Sequence, residues 1–63
     1  MTTNTICKGY TIDGRRVKVE ERYDDIAVCL GIFVILEDGY EIVEIEKPCR
    51  DSAISLFKWF VTK

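Results

Sequence analysis

The sequence predicts an α+β fold, a four-stranded antiparallel meander (ββββα) with one C-terminal helix packed on one face. Three observations carry this expectation. Residues 26–36, Ile-Ala-Val-Cys-Leu-Gly-Ile-Phe-Val-Ile-Leu, form an uncharged, β-branched run in a chain whose residues are 32% charged. The run is too short to span a bilayer, which takes about 20 apolar residues, and its composition suits a buried central strand. Two Asp-Gly pairs, Asp13-Gly14 and Asp38-Gly39, stand between alternating segments and mark hairpins. Beyond Lys47-Pro48 the apolar residues switch to helical spacing.

Residues 1–4 are polar and are expected to fray. Residues 5–12 alternate, which puts Ile6, Tyr10 and Ile12 on one side. A two-residue loop at Asp13-Gly14 pairs Tyr10 with Val17 and Lys8 with Val19. Strand two then runs from Arg15 to Tyr23, with Val17 and Val19 on the Tyr10 side and Arg16, Lys18, Glu20 and Arg22 opposite. A turn at Asp24-Asp25 pairs Tyr23 with Ile26 and brings Ile32 and Leu30 beside Val17 and Val19. This agreement of faces supports the pairing, because a one-residue slip flips every side chain. The Asp38-Gly39 hairpin pairs Leu36 with Glu41 and Val34 with Val43, and Pro48, which has no N–H to donate, ends strand four. Asp51 or Ser52 caps a helix from Ser52 to about Thr62. Its stripe of Ala53, Leu56, Phe57, Phe60 and Val61 covers the sheet. Residues 1–63 read as one small domain.

The second face of this sheet has no cover left in the sequence. Phe33, Ile35, Tyr40 and Ile42 are expected to form a contiguous apolar patch there, with Arg16 beside Phe33 and Phe33 beside Glu44. A sheet curled into a barrel, burying both faces, is the alternative. Trp59 falls on the far side of the helix from its stripe, as a candidate contact.

Chemistry is constrained by what is missing. The chain has no His and its three cysteines, Cys7, Cys29 and Cys49, form no CxxC pair, so no metal centre, cofactor site or nucleophile–base set is assigned. An odd cysteine count with no signal peptide points to reduced thiols in a cytoplasmic setting. Charge is segregated. Residues 1–23 set Lys8, Arg15, Arg16, Lys18 and Arg22 against Asp13, Glu20 and Glu21, whereas residues 24–46 hold seven acids and no base.

The expected function is a non-catalytic protein-binding module. It is read as a homodimeric regulator or inhibitor of the phage or mobile-element type, with itself and an unidentified target protein as partners. The expected interface is Phe33, Ile35, Tyr40, Ile42, Arg16, Glu44 and Trp59. Nucleic acid and membrane are disfavoured as partners. Two alternatives reverse the emphasis: nucleic-acid binding through the basic first hairpin with Tyr10 or Tyr23, and an acidic nucleic-acid mimic built on residues 37–46.

Overall fold

The computed structural model describes residues 2–62, which form four antiparallel strands and one helix. The strands β1 (Thr2–Tyr10), β2 (Arg16–Tyr23), β3 (Cys29–Glu37) and β4 (Ile42–Lys47) pair in the order β1-β2-β3-β4. The helix α1 (Arg50–Thr62) lies across one face, in the α+β arrangement the sequence predicts. The molecule is thin, with principal extents of 38 × 25 × 14 Å. Val17, Val19 and Val34 of the two central strands and Ala53 of α1 are fully buried together. Leu56, Phe57, Phe60 and Val61, the predicted stripe, pack around them with Ile6, Ile32, Leu36 and Ile45.

The registers differ from the sequence-based pairing because the turns do. A two-residue loop at Asp13-Gly14 would require positive φ at both residues, and Gly14 alone adopts it, at 90°. The loop instead holds three residues, 12–14, and is closed by Thr11 and Arg15. Thr11 N–H donates to Arg15 O at 2.8 Å and Gly14 N–H to Thr11 O at 3.0 Å. Tyr10 therefore pairs with Arg16, not Val17. This one-residue slip removes Tyr10 and Ile12 from the helix side and leaves them 64% and 71% exposed. A bulge between Thr5 and Cys7 then lets Ile6 and Cys7 both reach the core. Residues 2–4 belong to β1, and Asn4 donates to Glu21, so the expected fraying is not seen there; Met1 lies outside the described residues.

The second hairpin repeats the design. Asp24 and Val28 close a three-residue loop, with Asp24 N–H donating to Val28 O at 3.1 Å and Ala27 N–H to Asp24 O at 3.2 Å. The Asp24 carboxylate accepts from the N–H groups of Ile26 and Val28. The residue at Gly14's place is Ala27, at φ 64°. Tyr23 thus pairs with Cys29 rather than Ile26, and Val19 with Val34 rather than Leu30. Ile26, Val28 and Leu30 leave the core for an exposed hairpin tip. In the third hairpin the register moves by two, pairing Leu36 with Val43 and Val34 with Ile45.

A left-handed conformation costs an L-residue roughly 1–2 kcal/mol, part of which glycine forfeits as backbone entropy. Ala27→Gly is therefore expected to stabilise the fold by about 0.5–1 kcal/mol, read as a higher urea midpoint. An unchanged or lower midpoint would show that Ala27 is not strained.

The helix begins at Arg50, two residues before its predicted start at Ser52. Ala53 N–H donates to Cys49 O at 3.1 Å, the first helical bond, so Cys49 occupies the cap position and Asp51 falls in the first turn. The Arg50 guanidinium reaches back to the buried Glu21 of β2, at 2.6 and 3.0 Å. Together with Asn4, it ties the start of the helix to the sheet.

Candidate functional site

Cross-strand partners share a face, so the registers map the helix-free side of the sheet directly. At the Tyr10 end one row runs Tyr10, Arg16, Glu37, Ile42 across the four strands. The next runs Lys8, Lys18, Ile35, Glu44, and the third brings Thr5, Glu20, Phe33 and Glu46 together. Charge on this face is interleaved: Lys8, Arg16, Lys18 and Arg22 stand on β1 and β2 together with Glu20, and Glu37, Glu44 and Glu46 on β3 and β4.

The predicted apolar patch is not contiguous. Ile35 is 4% exposed, closed over within its row of charged neighbours. Tyr40 lies in the loop before β4, almost fully exposed. Ile42 is exposed at the outer edge of the face. Phe33 is half-buried, and the cation above it is Arg22 rather than Arg16, with the Arg22 guanidinium carbon 4.3 Å from the ring centroid. Arg22 also donates to Glu44 at 2.6 and 2.9 Å and to Glu20 at 3.0 Å. The bond to Arg22 holds the Glu44 carboxyl below the usual glutamate range, and the same carboxylates hold Arg22 in its charged form.

The Phe33 ring occupies the space beside Gly31, directly opposite Arg22, that a side chain there would fill. A Cβ there would sit 2.9 Å from the Phe33 ring and 2.9 Å from the Glu46 carboxylate. The expected row of Arg16, Phe33 and Glu44 is not formed: Arg16 stands opposite Glu37, Phe33 between Glu20 and Glu46, and Arg22 reaches the Phe33 ring from the neighbouring row. Opposite Phe33 stands Glu46, while Glu44 stands opposite Ile35. The missing signal was register, since Arg22 and Arg16 project from the same side of one strand.

Arg16 itself is exposed and, among the described residues, neither it nor Lys8 makes an ion pair. Lys18 is shared between Glu20 at 3.7 Å and Glu37 at 3.9 Å. Lys8, Tyr10, Arg16, Lys18 and Glu37 surround a shallow depression floored by Ile35. Two more of the acids of residues 37–46 are already engaged within the chain. The Asp38 carboxylate is spent on the N–H groups of Tyr40 and Glu41, which keep it ionised, and Glu44 is spent on Arg22. Trp59 is 53% exposed, its ring edge-on to Phe60 at 5.3 Å. It lines a second depression together with Phe60 and with Ile12 and Arg15 of the first hairpin loop.

Sequence reasoning missed the tip made by Ile26, Val28 and Leu30, because it placed all three inside the sheet. Cys7, Cys29 and Cys49 are free thiols, and burial pushes the Cys7 thiol up. Among the described residues no group of three or more His, Cys, Asp or Glu is placed to hold a metal ion, and no helix is long and apolar enough to cross a membrane. No protein-family model, curated protein or solved structure matches the chain.

Proposed function

We propose that this protein is a small non-catalytic protein-binding module that self-associates through the helix-free face of its sheet. In this reading it acts as a regulator or inhibitor by occupying a surface of a target protein in a reducing, cytoplasmic setting. The observation that supports it most is the one-sided architecture. The helix covers one face, and the other presents a broad surface of interleaved charges with exposed Tyr10 and Ile42 at its two edges. A standard protein–protein interface buries about 800 Å² per partner, and a 38 × 25 Å molecule offers a face of that order. Trp59 belongs to the helix layer and, 53% exposed, stays available to a target when the sheet face is occupied.

A second reading, nucleic-acid binding, has the unpaired Lys8 and Arg16 beside exposed Tyr10 in its favour. Against it, Arg22 is neutralised by Glu20 and Glu44, and the same face carries Glu37 and Glu46. The deciding measurement is mass by light scattering at tens of micromolar, where a dimer of the 7.3 kDa chain is expected. A monomer at that concentration would refute self-association.

A further inference from the structure

The helix-free face is complementary to itself in one orientation, and this inference rests on the self-association proposed above. We infer that two copies stack these faces about a two-fold axis running parallel to the strands, midway between β2 and β3. Such an axis leaves each row at its own height and reverses its order. The row Tyr10, Arg16, Glu37, Ile42 then meets Ile42, Glu37, Arg16, Tyr10 of the second copy. Arg16 faces Glu37 in both directions, and exposed Tyr10 meets exposed Ile42. In the next row Lys8 faces Glu44 and Lys18 faces Ile35; in the third, Thr5 faces Glu46 and Glu20 faces Phe33. No like charges are opposed in these rows, and the unpaired cations Arg16 and Lys8 both gain a carboxylate partner.

The other two-fold that stacks the same faces lies perpendicular to the strands, and charge opposes it. Centred on the second row, it sets Lys8 on Lys8, Lys18 on Lys18 and Glu44 on Glu44. Centred between the first two rows, it sets Arg16 on Lys18. Like-charge juxtaposition across an interface suppresses an arrangement more strongly than opposite charges favour one. Both axes leave the strands of the two sheets aligned, about 10 Å apart, so charge alone decides between them. It is an isologous contact, so each ion pair occurs twice.

The test uses the full chain and two substitutions at the paired position. R16E sets a new carboxylate against Glu37 at both contacts, and E37R sets a second guanidinium against Arg16. Each alone is expected to raise the dimer dissociation constant roughly 100-fold. In an equimolar mixture of the two variants, a mixed dimer carries one contact of two opposed native residues and one of two opposed substituted residues, both of them of opposite charge. Sedimentation velocity should therefore show a mixed dimer where neither variant alone forms one. Circular dichroism confirms that each variant is folded. A second measurement needs no variant. Lys8 and Glu44 of one chain lie three strand spacings apart, about 14 Å, too far for a zero-length cross-link. Carbodiimide treatment of a mixture of ¹⁵N-labelled and unlabelled wild-type chains should yield a Lys8–Glu44 peptide of mixed isotope content. A dimeric wild type whose folded variants do not recombine, or whose cross-links join other residues, overturns the axis and leaves self-association standing. A monomeric wild type overturns both.

Discussion

Ala53→Leu is expected to cost about 1–3 kcal/mol of folding stability. Ala53 is fully buried and clusters with Val17, Val19 and Val34, which are themselves at most 1% exposed. The helix approaches the central strands this closely because a single methyl group stands at the contact. A leucine adds three heavy atoms at a fully buried site, so the helix must lift or the valines must leave their rotamers. One core of this size rarely supplies more than about 3–5 kcal/mol. The substitution should therefore lower the urea midpoint by at least about a fifth, and by all of it at the upper end of the cost. Ser55→Leu, on the exposed side of α1, is the control and should stay within about 0.5 kcal/mol of wild type. If Ala53→Leu matches that control, the helix is not seated through Ala53.

Acid should unfold the protein by releasing the helix start. The Arg50 guanidinium, bonded twice to Glu21, holds this buried carboxyl below its ordinary range, with Asn4 as a further donor at 3.2 Å. A carboxyl lowered in the folded state binds its proton more readily when unfolded. Its contribution is complete above the ordinary glutamate range and is lost as pH falls through the folded value. Wild-type Tm should thus fall steeply between about pH 5 and pH 3. Glu21→Gln should lower Tm near neutrality by on the order of 5–10 °C and flatten the acid slope. Some slope should remain, because Asp13, Asp38 and Glu44 are shifted in the same direction by Thr11, by backbone N–H groups and by Arg22 respectively. A variant whose acid slope equals wild type would place the sensitive group elsewhere.

The faces of β3 and β4 were legible in the sequence although their registers were not. The register between β2 and β3 differs from the predicted one by four residues, and that between β3 and β4 by two. Both are even numbers, and a strand alternates with period two, so Ile32 and Val34 stay on the helix side and Phe33 and Ile35 on the other. At the first hairpin the difference is a single residue, and there the side-chain assignment inverted for Tyr10 and Ile12. What decides these loops is local hydrogen bonding by Thr11, Asp24 and Asp38 to backbone N–H groups further on. The same residue types serve loops of two, three or four residues, so their presence marks a turn without measuring it. A left-handed alanine at position 27 is less legible still, since nothing in its type announces it. The candidate face was recovered as a face and misread as a patch. Lys18 stands in the row of Ile35 and Arg22 in the row next to that of Phe33, whose ring it covers, and a list of exposed apolar residues cannot express this.

The two central strands carry a consequence for how quickly the native state is reached. Val19 pairs with Val34 and Val17 with Leu36, so the driest part of the core lies within one hairpin. Closing a segment this short costs little chain entropy, and every other strand contact is likewise between sequence neighbours. Chains whose contacts are local cross their transition state rapidly. The hairpin of β2 and β3 can condense as a nucleus before Ala53 arrives from farther along the chain, leaving helix docking as the late, rate-insensitive step.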